Sequence, residues 1–319
     1  MKETKSFLRN VIGDYMTTLG RKDSRVVLVN ADLAGTCRNK GFGETFPDRA
    51  FNVGIAEQNL VSFAAGLACE GFIPYVFSMA PFLTMRACEQ CRTDVAYGNR
   101  KVRLIGVYVG VSGGISGATH WAIDDCGIMT SIPNMAVFEV SDGAQAKQLL
   151  DLSLTCDGPM YIRCGVEPVR DLYDTEPDIK PGGSVTVLEG TDGAFLCAGV
   201  VVQYALAAAG KIKEKTGKTI RVVDLYSIKP IDRNAVIAAA RTGHVIAAQD
   251  HNVVGGLGSL AATVIAEEGI RTRFRILGIP DAFVAMAHAP YLYHQFGYDA
   301  DGLEKAMLEM LEKEQVMQE

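Results

Sequence analysis

Glu57 stands at the start of an apolar run, in the stretch FNVGIAEQNLVSFAAGLACEGF that spans residues 51–72. A carboxylate among core-forming residues loses its hydration, which costs several kcal/mol unless the group is paired or neutralised. One explanation is structural, because an acid at a helix N-terminus interacts favourably with the helix dipole, by about 0.3–1 kcal/mol. The other is chemical, because a buried acid can donate a proton to a ligand.

A second candidate for chemistry is His120, in the stretch GVSGGISGATHWAIDD over residues 110–125. This glycine-rich stretch follows a predicted strand over 102–109, and ligands bind beyond the carboxyl ends of strands in open α/β sheets. His120 is therefore a candidate acid, base or hydrogen-bond donor, with capping of the next helix as the structural alternative. Phe82 stands at a similar predicted loop-to-helix junction, where core packing is the ordinary role.

Several cofactor motifs are absent from the sequence. No G-x-G-x-x-G follows a strand, and no G-x-x-x-x-G-K-[ST] occurs. A GDG followed about thirty residues later by Asn, which would hold a metal and a diphosphate, is also missing. The pair Cys88 and Cys91 lies in a predicted helix with no second Cys or His pair nearby. We therefore predict no metal site in this chain.

Composition narrows the class of protein. The chain has 319 residues, 48% of them hydrophobic, and a net charge of −6. This charge gives no general attraction to nucleic acid or anionic lipid. No apolar run approaches the ~18 residues that suggest a membrane span, and residues 1–10 lack the apolar core of a signal peptide. The eight cysteines lie mostly in apolar segments, so we expect reduced thiols and a cytoplasmic protein.

Helical and strand patterns alternate along the chain, which predicts an α/β protein with parallel sheets flanked by helices. A stretch rich in Pro, Gly and acidic residues, YDTEPDIKPGGS, interrupts the alternation and predicts a linker. We expect a first domain over 1–176, a linker over 177–190 and a second domain over 191–319. Helices are predicted over 5–20, 55–69, 81–97, 122–131, 142–155, 202–216, 232–241, 256–268 and 302–316. Asp232 in KPID is a predicted helix N-cap.

An ordered set of segments carries a resemblance to a known family. The segments are ADLAG (31–35), VGIAEQN (53–59), PYVFSMAPFL (74–83), SGATHWAIDD (116–125), IPNM (132–135), MYIRCG (160–165), VVDLYSIKPID (222–232) and QDHNVVGGLGS (249–259). Together they resemble the C-terminal half of transketolases, and they are similar to the matching half of deoxyxylulose-phosphate synthases. The resemblance covers nearly the whole chain, from Arg9 to about residue 280.

The resemblance implies a pyrimidine-type thiamine-diphosphate-binding domain followed by a Rossmann-like transketolase C-terminal domain. Transketolases use thiamine diphosphate with a divalent ion such as Mg²⁺. Because the GDG…N element is missing, the chain resembles the small subunit of a split transketolase. An N-terminal partner subunit would hold the diphosphate and the metal, in an expected assembly of two copies of each subunit. The implied reaction transfers a two-carbon ketol unit from a ketose phosphate to an aldose, in carbohydrate metabolism of the pentose phosphate type.

The resemblance also implies roles for individual residues. Glu57 matches the glutamate that faces the aminopyrimidine ring as a neutral acid, and Phe82 matches the aromatic residue that stacks on it. Asp32 and Met79 are further cofactor contacts, with Met79 standing where an aromatic residue is common. His120 matches a histidine near the first hydroxyls of the substrate.

A second set of residues is implied to bind substrate. Arg9, Thr36 and Arg163 match a phosphate-binding group, and two Arg forks with a hydroxyl suit a terminal sugar phosphate. Tyr108 and Ser116 line the implied substrate channel, at positions where transketolases carry His and Asp. These two departures leave the donor and the acceptor open.

Three alternatives stand beside the small subunit of a transketolase. The β subunit of a 2-oxoacid dehydrogenase E1 component shares this pair of domains, and a deoxyxylulose-phosphate-synthase-like enzyme shares the resemblance. The set of Arg9, Thr36 and Arg163 favours a phosphorylated sugar over an oxoacid. A non-catalytic scaffold is the third alternative, and the presence of Glu57 and His120 argues against it.

Overall fold

The computed structural model describes residues 5–173 and 176–318, with side chains to residue 312. The strands of the N-terminal domain are β1 (Lys5–Phe7), β2 (Val26–Asn30), β3 (Ala50–Asn52), β4 (Ile73–Met79), β5 (Arg103–Val107), β6 (Ala136–Glu139), β7 (Met160–Cys164) and β8 (Pro168–Arg170). Its α-helices are α1 (Leu8–Lys22), α2 (Lys40–Thr45), α3 (Glu57–Cys69), α4 (Cys88–Gln90), α5 (Asp125–Ser131) and α6 (Gly143–Thr155). Two π-helical turns, Phe82–Arg86 and Cys91–Ala96, flank α4.

The C-terminal domain again alternates strands and helices. Its strands are β9 (Val185–Leu188), β10 (Gly193–Cys197), β11 (Ile220–Asp224), β12 (Ser227–Lys229), β13 (His244–Asn252) and β14 (Arg273–Ile279). Its helices are α7 (Val201–Thr216), α8 (Arg233–Ala240), α9 (Leu257–Glu267), α10 (Ala289–Gln295) and α11 (Ala300–Gln318).

Two main sheets form the scaffold. The N-terminal sheet has the order β12-β6-β7-β5-β4-β2-β3, and the C-terminal sheet has the order β14-β13-β10-β11-β9. Within the first sheet, β2 to β7 run parallel, and β2, β5 and β7 are buried at every position. Helices cover both faces of such strands, which is why apolar residues occur without polar alternation. The predicted α/β class with parallel sheets is confirmed.

The two domains share structure rather than meeting at a flexible joint. β12 follows β11 in the C-terminal domain, yet it pairs antiparallel with β6 and completes the N-terminal sheet. Next to it, Lys229 Nζ donates to the carbonyls of Thr130 (2.8 Å) and Ile132 (2.6 Å) at the end of α5. These contacts restrict the movement of one domain against the other.

Three expectations about local structure need correction. The predicted linker over 177–190 contains β9, which pairs antiparallel with β11 as an edge strand of the second sheet. The predicted single helix over 81–97 is instead a short α-helix between two π-helical turns, a form that recurs at functional sites. The stretch DLAGTCRNKGFGETFPD (32–48), for which the sequence predicts a loop, contains α2, whose Phe42 is buried against α1. The predicted N-cap is confirmed, since Asp232 Oδ1 accepts from the Ala235 N–H at 3.0 Å.

The cysteines and the helices bear on two further expectations. All eight cysteines are free, and five of them are buried, in agreement with the predicted reduced thiols. Burial raises the pKa of the Cys126 thiol to about 12, which keeps it protonated at neutral pH. Among the described helices, none combines the length and the apolar character that crossing a membrane requires.

Asp224 lies at one of the points where the domains meet. Its carboxylate is fully buried and accepts hydrogen bonds from Ser141 Oγ (2.9 Å), Gln145 Nε2 (2.7 Å) and Tyr173 Oη. Burial raises the pKa of Asp224 to about 7, although these three donors oppose the shift. At a pH between 3.8 and about 7, Asp224 keeps its proton in the folded chain. In the unfolded chain, where the pKa of Asp224 is near 3.8, the proton has been released.

This difference predicts a pH-dependent contribution to stability. Between pH 4 and pH 7 the folded state binds the proton and the unfolded state does not, so the stabilisation is present below pH 4 and is lost as pH rises through 7. In Asp224→Asn the group cannot titrate. The free energy of unfolding of the parent chain should therefore fall relative to that of the variant by a few kcal/mol between pH 5 and pH 8, since one pKa unit corresponds to about 1.4 kcal/mol.

Urea denaturation of both proteins across this pH range measures the effect. The matched control is Asp301→Asn, at an exposed carboxylate that pairs with Lys211. The pKa of Asp301 is lowered by that partner, so its contribution is lost toward acid pH instead. A constant difference between the parent chain and Asp224→Asn would contradict the prediction.

Candidate active site

Most of the predicted site residues lie beyond the carboxyl ends of neighbouring parallel strands. Asp32 follows β2, Glu57 follows β3, Met79 ends β4, and Tyr108 follows β5. Because β3, β2, β4 and β5 are adjacent in this order, the four residues lie along one edge of the sheet. This is the edge at which open α/β sheets bind their ligands.

Glu57 is the first residue of α3 and is only 2% exposed. Its Oε2 accepts a hydrogen bond from Arg86 Nη1 at 2.8 Å, in an ion pair whose arginine is 48% exposed. Glu57 therefore does not lie in a purely apolar pocket, because a guanidinium contacts its carboxyl group, and its role as a neutral acid stays a prediction. The cation comes from the π-helical turn after β4, which turns Arg86 back toward α3.

The Phe82 ring lies between Arg86 and His120. Arg86 Cζ is 4.4 Å from the centroid of the ring, and the His120 ring meets it edge to face at 5.4 Å. Thr119 Oγ1 lies 2.8 Å from His120 Nδ1, which leaves the opposite ring nitrogen directed away from this contact. Glu57, Phe82 and His120, predicted separately from the sequence, therefore belong to one connected group with Arg86 as the link.

A second group forms around Arg9 on α1. Arg9 Nη1 donates to Tyr108 Oη at 2.9 Å, and Arg9 Nε has no hydrogen-bond partner in the described part of the chain. Burial raises the pKa of the Cys37 thiol to about 12, and the positive charge of Arg9 opposes that shift. Arg9 is thus close to the segment that carries Thr36. The structure brings Arg9 and Tyr108 together, and the place of Thr36 in this group stays a prediction.

Arg163 does not join this group, because the structure gives its guanidinium other partners, and its role as a phosphate ligand stays a prediction. Its side chain is fully buried, and its Nε and Nη2 donate to the two Asp125 oxygens at 2.8 and 3.0 Å. Nη1 donates to Glu139 Oε2, and Nη2 also donates to the carbonyl of Asp250 at 3.1 Å. The physical reason is the alternation of side chains along β7. Cys164 packs in the core that contains Leu8 of α1, whereas Arg163 lies on the opposite face of the strand with Tyr161, where both side chains donate to Asp125.

Backbone strain marks two of the predicted positions. Asp32 has φ of 59° and Tyr108 has φ of 65°, in the left-handed region that non-glycine residues rarely adopt. Such residues concentrate at functional sites, where the surrounding structure holds them. Asn52 holds Asp32, because its side chain accepts from the Asp32 N–H at 2.9 Å and donates to Asp32 Oδ1 at 3.3 Å.

Asp32, Ser116 and Met79 differ in how they are exposed. Asp32 is exposed and lines a cavity of about 340 Å³ beside β2, β3 and α2. Ser116 is exposed at the end of a 3₁₀ turn within the loop after β5. Met79 is half-buried at the end of β4. All three roles stay predictions.

Sequence reasoning missed two residues of this region. Arg86 follows Phe82 by one helical turn, a spacing that places both side chains on one face, and this was the available signal. Asp250, within the segment QDHNVVGGLGS, is buried and accepts from the Val111 N–H in the loop after β5 at 2.9 Å. No local pattern indicates that contact, because it joins residues of two domains.

Comparison with known proteins identifies both domains. Residues 5–170 match the family described as the transketolase pyrimidine binding domain, and residues 182–303 match the transketolase C-terminal domain. The chain belongs to the transketolase family. Thiamine diphosphate dependence is a property of this family.

Curated transketolase relatives match almost end to end. One is the 6-deoxy-6-sulfo-D-fructose transketolase subunit of Clostridium sp. (strain MSTE9), 34% identical over 98% of this chain and 97% of the relative. Another is a subunit of the apulose-4-phosphate transketolase of Phocaeicola vulgatus, 34% identical over 96% of this chain and 97% of the relative. The chain thus corresponds to the C-terminal subunit of split transketolases. It covers only 47% of a 1-deoxy-D-xylulose-5-phosphate synthase of Geobacter sulfurreducens, at 34% identity.

Solved transketolase structures also resemble this chain over nearly its whole length. A protein described as a split gene transketolase, inactive β4 tetramer, superposes with a TM-score of 0.88 and 34% identity, over 96% of this chain and 98% of that chain. The transketolase of Campylobacter jejuni superposes with a TM-score of 0.82 at 18% identity, over 47% of its own length. The second likeness shows the shared fold of the two transketolase domains.

Proposed function

We propose that this transketolase subunit supplies the pyrimidine-facing half of an active site that transfers a two-carbon ketol unit from a ketose phosphate to an aldose. The observation that supports this most directly is Glu57, a buried carboxylate at a helix N-terminus beside Phe82 and His120. A partner subunit would supply the diphosphate site and a divalent ion such as Mg²⁺, in an assembly of two copies of each subunit. The free thiols agree with a reducing, cytoplasmic setting.

The residues present fit thiamine diphosphate at its aminopyrimidine end. A carboxyl group can exchange a hydrogen bond with a ring nitrogen, and an aromatic side chain can stack on the ring by about 0.5–1.5 kcal/mol. Glu57 and Phe82 provide these two groups side by side. When bound, the cofactor supplies the carbanion chemistry that cleaves and forms the carbon–carbon bond. Asp32 and Met79 would border the same ligand.

Arg86 must change its partners for this fit. Its guanidinium lies over the Phe82 ring and on Glu57 Oε2, so it stands where the stacked ring would lie. It also pairs with the anionic form of Glu57, whereas a proton on Glu57 is needed to donate to the ring. We infer that Arg86 leaves Glu57 when the cofactor binds, and that Glu57 then holds a proton between its oxygen and the ring nitrogen.

His120 and the Arg9 group would act on the substrate. The His120 ring contacts the Phe82 ring, and from this position it would donate to hydroxyls near the reacting carbons. Arg9 keeps an unpaired Nε, and no described carboxylate pairs with its guanidinium. A cation held without a counter-ion suits the anionic end of a sugar, with Thr36 and Tyr108 as hydroxyl partners. The names of both split-subunit relatives contain a sugar with an anionic group. A place in pentose phosphate metabolism stays a prediction.

Mixing the chain with its partner subunit tests the proposal. The chain alone should have no activity, and the assembly with thiamine diphosphate and Mg²⁺ should transfer ketol units from a ketose bearing a terminal phosphate or sulfonate. In the assembly, Glu57→Gln should lower kcat by two orders of magnitude or more, because the amide keeps the shape but cannot give up a proton. Asp94→Asn, at an acid on the second π-helical turn, is the matched control. Turnover of a 2-oxoacid but of no ketose would favour the dehydrogenase alternative.

Cofactor binding measures the part played by Arg86. In the assembled enzyme, Arg86→Met should lower the dissociation constant of thiamine diphosphate about tenfold, because no competing guanidinium then reduces the fraction of competent sites. Arg92→Met, at an exposed arginine nearby, should leave the constant unchanged. Calorimetric titration gives both values without relying on turnover. Weaker binding in Arg86→Met would show that Arg86 assists the cofactor rather than competing with it.

The role of Arg9 is tested by the charge of the substrate. Arg9→Met should raise KM for an anionic ketose about tenfold or more, because a hydrogen bond to a charged group contributes about 1.5–3 kcal/mol. KM for an uncharged ketose should stay within about twofold, a comparison that separates anion binding from a general loss of structure. Arg25→Met, at an exposed ion pair with Asp23, is the control for the loss of one positive charge. Equal effects on both substrates would remove Arg9 from the anion site.

A further inference from the structure

The loop between β5 and α5 carries His120 but contains little regular structure. Its left-handed residues include Gly110, Gly114 and Gly117, and such backbone is poorly restrained by its own sequence. Consecutive turns give the loop its local shape: the Gly114 N–H donates to the Val111 carbonyl at 2.8 Å, the His120 N–H donates to the Gly117 carbonyl at 2.9 Å, and Trp121 Nε1 donates to the Gly114 carbonyl at 2.9 Å. These turns fix the shape of the loop, and contacts from outside it fix its position against the sheet, as the bond from the Val111 N–H to Asp250 Oδ1 does.

Asp250, at the carboxyl half of β13, provides such support from the C-terminal domain. It is 1% exposed, and its Oδ1 accepts from the Val111 N–H at 2.9 Å and from Tyr298 Oη at 3.0 Å. Its Oδ2 accepts from Tyr293 Oη at 3.1 Å. The hydroxyls of Tyr293 and Tyr298 thus fix the orientation of the Asp250 carboxyl group. The hydrogen bond from the Val111 N–H then attaches the loop to it.

The fit between Asp250 and the loop is close. A Cβ atom on Gly110 would lie 2.0 Å from Asp250 Cγ, so only glycine allows this approach. The Asp250 carbonyl accepts from Arg163 Nη2 at 3.1 Å, which ties the same residue to β7 of the N-terminal sheet. Further along the loop, a Cβ atom on Gly114 would lie 3.3 Å from the Ala287 carbonyl. The C-terminal domain therefore contacts the loop at two successive points.

Asp224 offers an internal comparison. It is as deeply buried as Asp250, lies in the same sheet and also joins the two domains. Its partners are Ser141, Gln145 and Tyr173, none of which belongs to the loop after β5. Loss of either carboxylate leaves three hydrogen-bond donors without their acceptor. Only the loss of Asp250 affects a donor in the loop, the Val111 N–H.

We propose that Asp250 is a positioning residue through which the C-terminal domain holds the glycine-rich loop and thereby places His120 for ketol transfer. This inference rests on the proposed function for the identity of the reaction. The coupling between Asp250 and the loop stands on the contacts of the chain itself. It assigns to the C-terminal domain a direct influence on the chemistry at the edge of the other sheet.

Hydrogen exchange of the full chain without its partner tests the coupling. In Asp250→Ala, amides within residues 108–122 should exchange at least tenfold faster than in the parent chain, because the Val111 N–H loses its acceptor. In Asp224→Ala, the loop should exchange at the parent rate, and the faster exchange should appear around residues 141–145. Asp250→Asn should restore part of the protection, since its amide oxygen can still accept from Val111. Equal protection of the loop in the two alanine variants would overturn the proposal.

Kinetics of the assembled enzyme test the consequence. Asp250→Ala should lower kcat/KM about tenfold to a hundredfold, as expected when a reacting group is misplaced by about 1 Å. The dissociation constant of thiamine diphosphate should stay unchanged, because Glu57 and Phe82 follow other strands. Asp224→Ala should leave both quantities near those of the parent. Unchanged kcat/KM in Asp250→Ala, or an equal loss in Asp224→Ala, would overturn the positioning role.

A second variant keeps the positioning role testable if Asp250→Ala does not fold. If Asp250→Ala fails to fold, Tyr298→Phe removes one hydroxyl that orients Asp250 and should give the same effects at smaller size, with Tyr173→Phe as its control beside Asp224. If the parent assembly shows no ketol transfer while the exchange contrast is present, the proposed function fails and the coupling of Asp250 to the loop stands.

Discussion

A fully buried guanidinium, that of Arg163, joins the sheet that carries the candidate site to the domain that follows it. It contacts Asp125, Glu139 and the Asp250 carbonyl with no exposure to solvent. Burying these charges carries a desolvation cost of several kcal/mol for each ion, which only good geometry offsets. Burial alone would raise the pKa of Asp125, but the charge and the hydrogen bonds of Arg163 hold it below its ordinary value. The arrangement therefore tolerates little displacement of one domain against the other.

That constraint explains why the domains interlock around the site. β12 adds to the first sheet, Lys229 caps α5, and Asp250 supports the loop that carries His120. Each contact uses a residue of the C-terminal domain to fix a backbone segment of the N-terminal domain. The C-terminal domain is thus part of the structure around the candidate site, although it contributes none of the side chains predicted to touch the cofactor.

The buried carboxyl group of Glu57 differs from the Arg163 cluster, because its partner is exposed to solvent. Arg86 donates a hydrogen bond to the buried Glu57 carboxyl group. Because the Arg86 side chain is 48% exposed, it can move away from Glu57 without disturbing the core. In the proposed function Glu57 exchanges Arg86 for a ligand, so it needs a partner that can leave, since an unpaired buried charge is strongly destabilising. An arginine that is half exposed and stacked on Phe82 fulfils this requirement. In this structure Arg86 therefore occupies the face of Phe82 on which the proposed function places a ligand ring.

The sequence by itself determined the α/β class, the two domains, most element positions and the family. It also indicated Glu57 and His120 from their own positions in the chain, and Phe82 and Arg9 through the resemblance to the family. Only the tertiary structure decided which side chains meet. The alternation of β7 turned Arg163 away from Arg9, a π-helical turn brought Arg86 to Glu57, and domain packing brought Asp250 to Val111. These contacts depend on strand direction and on packing between residues far apart in the chain, which no local pattern encodes.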